Sequence, residues 1–193
     1  RVAVSFDAVE PDVIRGVAEG ALLGSYAYVK AGASVPAPTI GSLVIVSPTR
    51  DAALQVERAA VVARAVVRAR DWVNTPANVL YPETFAEEAR SVAKAAKLDV
   101  EVLDEKALAR AGYGGILAVG GGSARPPRLV RISYAPRGAR THLALVGKGI
   151  TFDTGGLNLK PSDGMITMKT DMAGAAAVIA RSEERRVGKE CLR

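Results

Sequence analysis

Between Leu145 and Ala180 the sequence reads LVGKGITFDTGGLNLKPSDGMITMKTDMAGAAAVIA. Two lysines, Lys148 and Lys160, and two aspartates, Asp153 and Asp171, stand here among glycines. Aspartates are hard oxygen donors. Two of them on separate elements suit divalent cations, and in a paired-metal site one carboxylate can bridge. A lysine ligates a metal only after losing its proton. Burial and a neighbouring dication both favour that loss, so Lys148 is a physically reasonable ligand. Lys160, left protonated, would stabilise an oxyanion.

Other readings compete. A glycine-rich loop after a strand suggests phosphate, but the P-loop pattern requires glycine where this chain has His142. GGGS at 120–123 lacks the last glycine of the dinucleotide fingerprint. Taken singly, Asp171 is an N-cap, Lys148 and Asp153 form a surface ion pair, and Lys160 is a solvated loop residue. His142 is the only histidine and Cys191 the only cysteine, so a tetrahedral His/Cys zinc site is excluded by inventory.

The surrounding pattern is α/β. Val13, Val17, Ala21 and Leu22 fall at helical spacing within 12–31. A Pro/Gly-containing link, AGASVPAPTIG, leads to SLVIVS, a short buried strand at 42–47. Residues 51–73 form a long helix with Asp51 as N-cap and Arg64 and Arg68 on one face. It must stop before Asn74-Thr75-Pro76, because a residue preceding proline avoids helical geometry. Pro82 opens another helix, with Phe85, Ala89, Val92 and Ala96 on one face. LDVEVLD at 98–104 alternates as a half-buried strand, and a short helix at 105–111 ends at Gly112. RLVRISYA at 128–135 alternates again. HLALV at 142–146 reads as a strand buried on both faces, which would set Lys148 and Asp153 at its carboxyl end. A final helix spans 172–180, with Asp171 at its N-cap position. The order predicts a three-layer α/β/α arrangement on a mixed sheet.

The 193 residues, 49% hydrophobic and 24% charged, fit an ordinary globular chain with a packed core. No apolar run approaches the ~20 residues of a membrane span, and no signal-peptide pattern opens the chain. One cysteine forbids an intrachain disulfide and fits a reducing cytoplasm. The net charge of +6 is spread in mixed sign with few aromatics, which reads as a solvated surface rather than a nucleic-acid face.

VGKGITFDTGGLNLKPSDGMITMKTDMAGAAAV closely resembles the leucyl (cytosol) aminopeptidase family, the di-metal M17 peptidases. EGALLGSYAYVK, DWVNTPANVLYPETFAEEA and GGILAVGGGSARPPRLV resemble earlier blocks of that family in the right order, so the likeness covers about residues 12–180. The resemblance implies that Lys148, as a neutral amine, and Asp171 bind one metal. Asp171 would also help hold the substrate's free amino group, and Asp153 would bridge two metals. Lys160 would be the catalytic lysine on the scissile carbonyl, and Met168 a wall of the pocket for the first side chain. The implied activity is release of N-terminal residues, leucine or other apolar types, from peptides by a water activated by two metals. The ions would be manganese or zinc, with magnesium also compatible. A bicarbonate, a homohexamer and a cytoplasmic location are implied for the complete protein.

The same resemblance divides the chain. Residues 1–50 would end a smaller macro-like α/β domain, 51–73 would be an interdomain helix, and 74–180 would begin the catalytic domain. Residues 181–193, RSEERRVGKECLR, break into dense charge and are not expected to continue the family pattern. That pattern goes on to an Asn-Thr-Asp-Ala-Glu-Gly-Arg segment supplying two further metal ligands and an arginine. These 193 residues do not contain it. The sequence is therefore expected to be truncated at both ends and inactive by itself. A DNA-binding or regulatory member of the same family is the alternative reading.

Overall fold

The computed structural model describes residues 2–5, 10–30 and 42–182. The link expected at 31–41 and nearly all of the charged tail lie outside the described residues. Two compact units are present, one reaching Asp71 and the other starting at Trp72.

In the first unit, β1 (Val2–Ser5) pairs in parallel with β2 (Leu43–Val46), Val2 opposite Leu43 and Ser5 opposite Val46. Parallel strands need a crossover, and helix α1 (Pro11–Gly24) lies between them in the chain. Pro11 opens α1 at a position whose N–H would be unpaired anyway, and Asp12 adds negative charge to the first turn. Its buried positions are Ile14 and Ala18, one residue along from the expected Val13 and Val17. Helix α2 (Ala52–Asn74) buries Ala59, Val61, Ala63 and Ala65 on the way to Trp72.

The second unit is built around α3 (Pro82–Ala95), which buries Phe85, Ala86, Ala89, Val92 and Ala93. Trp72 meets the Phe85 ring edge-on at 5.4 Å between centroids. At its far end α3 closes with paired bonds, Leu98 N–H to the Ala93 carbonyl at 2.9 Å and Lys97 N–H to the Lys94 carbonyl at 3.0 Å. Lys97 makes this reversal at φ +56°, a conformation that favours glycine. The chain then enters β3 (Asp99–Leu103), antiparallel to β4 (Leu129–Ser133), with Val100 opposite Ile132 and Val102 opposite Val130. Helix α3 packs on this pair. Helices α4 (Glu105–Arg110) and α5 (Gly114–Gly120) connect the two strands. Leu108 of α4 is fully buried. Beyond β4 come α6 (Ser162–Met165), a 3₁₀ turn (Met168–Thr170) and α7 (Ala173–Ala180), which packs against α3.

The α/β class is as the sequence predicts, but the sheet is smaller. Residues 142–146 form no strand among the described residues, and Leu143 and Val146 are 78% and 92% exposed. An apolar run encodes a preference for burial, whereas a strand also needs a neighbour to complete its hydrogen bonds. The second unit's two strands are already paired with each other, as an antiparallel ladder rather than a mixed sheet.

Candidate metal centre

The segment after β4 carries all four charged residues singled out above, and backbone contacts set their positions. A Cβ on Gly147 would lie 2.5 Å from the Gly174 carbonyl oxygen and 2.6 Å from Ala175 Cα. Only glycine permits this approach. The Ala175 N–H donates to the Lys148 carbonyl at 2.8 Å, so Gly147–Gly149 lies flat on the first turn of α7. Asp171 sits just ahead of that turn, and Lys148 Nζ reaches its Oδ1 at 2.9 Å.

The second pair is built by a tight turn. Asp153 Oδ1 accepts the Gly155 N–H at 2.8 Å, a side-chain mimic of a backbone turn. Gly155 takes φ +89°, where a Cβ would strike the Asn158 carbonyl and come 2.9 Å from the Lys160 nitrogen. The Lys160 N–H returns to the Thr154 carbonyl at 2.9 Å. This closure brings Lys160 Nζ to 3.4 Å from Asp153 Oδ2.

The electrostatics join the pairs. The Gly155 N–H holds the Asp153 carboxyl below its ordinary value. Partial burial opposes this, and the hydrogen bond and charge of Lys160 assist it, as does the charge of Lys148. Asp153 is therefore held as an anion within the field of both lysines. Asp171 is different: its side chain is only 18% exposed, and Oδ2 is buried with no hydrogen-bond partner. Leaving a buried acceptor unpaired costs about 1–3 kcal/mol, and more when it is charged. Lys148, at 56% exposure, neutralises only the other oxygen. Ion pairs this open to water are worth about 1 kcal/mol or less.

These observations test the metal reading on the chain itself. An ionised carboxylate, a second carboxylate with an orphaned oxygen, and an amine paired with the second suit a divalent cation. Lys148, Asp153 and Asp171 would hold it. No group of three or more His, Cys, Asp or Glu side chains that could hold a metal ion occurs among the described residues, so any remaining ligands would come from outside them. The phosphate reading fares worse, because the Gly155 and Gly156 N–H groups are already engaged, with Asp153 Oδ1 at 2.8 Å and Thr154 Oγ1 at 3.4 Å.

Two plain readings of single residues are corrected. Asp171 does not cap α7: Met172 holds the N-cap position, because the 3₁₀ turn ends at Asp171 and displaces the helix start. Lys148 pairs with Asp171 rather than Asp153, because packing on α7 carries it that way. Met168 is half-buried at the start of the 3₁₀ turn. One residue escapes the sequence reading altogether. Lys169 Nζ donates to the Asn74 carbonyl at 2.6 Å, a contact between positions 95 residues apart that no local pattern announces.

Comparison with known proteins comes to the same segment. The model of a family described as "Cytosol aminopeptidase family, catalytic domain" matches residues 67–184. A "Probable cytosol aminopeptidase" of Cutibacterium acnes is 55% identical over 181 residues, covering 93% of this chain and 36% of that protein. One of Micrococcus luteus is 50% identical over 188 residues, covering 93% and 37%. Among solved structures, the apo leucyl aminopeptidase of Trypanosoma cruzi superposes with TM-score 0.80 at 34% identity, covering 96% of this chain and 37% of that one. The bottromycin maturation enzyme BotP in complex with Mn gives 0.78 at 41% identity, covering 92% and 37%. The chain thus spans little more than a third of the length of these relatives.

Proposed function

We propose, because the chain belongs to the cytosol aminopeptidase family, that it forms part of a metal-dependent aminopeptidase releasing N-terminal residues from peptides. The orphaned, buried Oδ2 of Asp171 carries this reading: it is an acceptor set into the site with nothing of the protein to satisfy it. Lys148 and Asp171 would hold one divalent cation, and Asp153 would lie between two. Manganese is the first candidate, since BotP is described with Mn; zinc and magnesium suit the same donors. Bound there, the ions would supply Lewis acidity for activating water.

The chain's own residues would do the rest. Asp171 would help hold the peptide's free amino group, which explains removal of one residue at a time. Lys160 would donate to the scissile carbonyl oxygen as negative charge develops on it. Asp153, 3.4 Å from the Lys160 ammonium, would keep that cation aimed. Met168 would line the space for the first side chain and favour leucine or other apolar residues. Residues 51–73 would join the two domains. A bicarbonate, a homohexamer and a cytoplasmic setting belong to the same proposal for the whole protein. The 193 residues alone would be inactive, since they supply three of the five ligands the family reading requires. No observation favours the DNA-binding alternative.

A chimera tests the proposal. Residues 1–180 joined to the C-terminal remainder of the Cutibacterium acnes relative should hydrolyse a leucine anilide and stop when a chelator is added. The 193-residue chain should not hydrolyse it. A folded, metal-loaded chimera inert toward every amino-acid anilide would sink the aminopeptidase reading. Chelator-sensitive hydrolysis by the short chain would sink the claim of inactivity.

A further inference from the structure

The last four carbonyls of any α-helix lack partners within the helix. At the end of α2 the Thr75 N–H takes the Trp72 carbonyl at 3.1 Å, and the next residue, Pro76, has no N–H to offer. The Asn74 carbonyl is met instead by the Lys169 ammonium at 2.6 Å. A cation suits this place twice over, as a hydrogen-bond donor and against the negative end of the helix dipole.

Lys169 is the middle residue of the 3₁₀ turn Met168–Thr170, and that turn delivers Asp171. The turn is a weak element by itself. It has three residues, and the Asp171 N–H reaches the Met168 carbonyl only at 3.4 Å. Short 3₁₀ pieces with poor hydrogen-bond geometry do not fix their own orientation, so contacts outside must do so. On one side Met172 is 1% exposed and anchors the chain in the core. On the other side the long-range tether is Lys169. The Lys148 contact to Asp171 cannot serve, because a metal held by both side chains would replace it.

We infer that Lys169 is a positioning residue: by capping α2 at Asn74 it fixes the turn that presents Asp171 to the cation. This rests on the metal reading of the site given above. Outer groups that orient metal ligands typically change affinity by 10–100-fold when removed. The hydrogen bond requires only a donor of adequate reach, so arginine should replace lysine here and methionine should not.

The test is Mn²⁺ titration of the 193-residue protein followed by electron paramagnetic resonance, with thermal melts of the metal-free proteins alongside. Wild type should bind Mn²⁺. Lys169→Met should bind on the order of tenfold more weakly, and Lys169→Arg should restore most of the loss, with all three proteins keeping a cooperative melt. Unchanged affinity in Lys169→Met would overturn the proposal while leaving the metal site standing. Weakening that arginine does not rescue, or that comes with loss of the cooperative melt, would make Lys169 a fold-holding residue and overturn it as well. No Mn²⁺ binding by wild type would bring down the metal reading, and this inference with it.

Discussion

Gly147 passes so close to Gly174 that a Cβ on the first would sit 2.5 Å from the carbonyl oxygen of the second. This contact sets the Lys148 backbone on the first turn of α7 and brings Lys148 beside Asp171. A methyl here meets backbone, which cannot rotate away. Gly147→Ala should therefore destabilise the second unit by about 1–3 kcal/mol, the usual cost of overpacking. Gly16→Ala is the control, because it lies within α1 with nothing within 4 Å and should stabilise by roughly 0.5–1 kcal/mol. Urea unfolding of both variants checks the pair. Equal stability in Gly147→Ala and wild type would mean the close approach is not maintained.

Lys97 gives a prediction of opposite sign. It occupies the left-handed position that closes α3, at φ +56°, with its side chain exposed. A side chain there costs roughly 1–2 kcal/mol, part of which glycine returns through its freer unfolded state. Lys97→Gly should raise the melting temperature by a net gain below about 1 kcal/mol. A lowered melting temperature would show that the lysine has a role beyond the turn.

How much of this was readable in the sequence depends on the kind of information each feature needs. Residue types and their combined spacing drew attention to Lys148, Asp153, Lys160 and Asp171, since that information is local. Helix ends were legible for the same reason: Pro82 and Gly112 act on their own backbone. Pairing was not legible. Lys148 and Asp153 looked like partners by proximity, yet the approach of Gly147 to α7 and the turn at Gly155 exchange them. HLALV announced burial but not the neighbour a strand requires. Lys169 was invisible because its partner, Asn74, is 95 residues away. The orphaned oxygen of Asp171 could be seen only once its surroundings were in place.

Asp104 supplies a pH prediction outside the site. Its carboxylate caps α4 by accepting the Ala107 N–H at 2.7 Å. That bond holds its pKa below the ordinary value of 3.8, against the opposing effect of burial and with help from the charges of Arg110, Arg128 and Lys106. The folded pKa is thus lower than the unfolded one. The stability it contributes is fully present above the unfolded value, near 3.8, and is lost as pH falls through the folded value. Asp104→Asn keeps an acceptor at the cap but cannot titrate. Wild type and variant should show a constant stability difference from neutrality down to about pH 5, shrinking below pH 4. Urea midpoints measured across that range decide it, and a difference that stays constant to pH 2 would remove Asp104 from the acid response.

Lys160 carries the sharpest prediction about chemistry. Its ammonium lies 3.4 Å from Asp153 and, in the proposed reaction, donates to the developing oxyanion without ligating metal. Removing one such donor typically costs 10²–10³-fold in turnover. In the chimera described above, Lys160→Ala should lose about that much in kcat while metal content stays near that of the parent. Lys160→Arg should recover little, because a planar guanidinium cannot place its charge where the compact ammonium does. Turnover and bound manganese are measured on the same preparations. If metal leaves together with activity in Lys160→Ala, the lysine belongs to the ligand set and the donor role assigned to it is wrong.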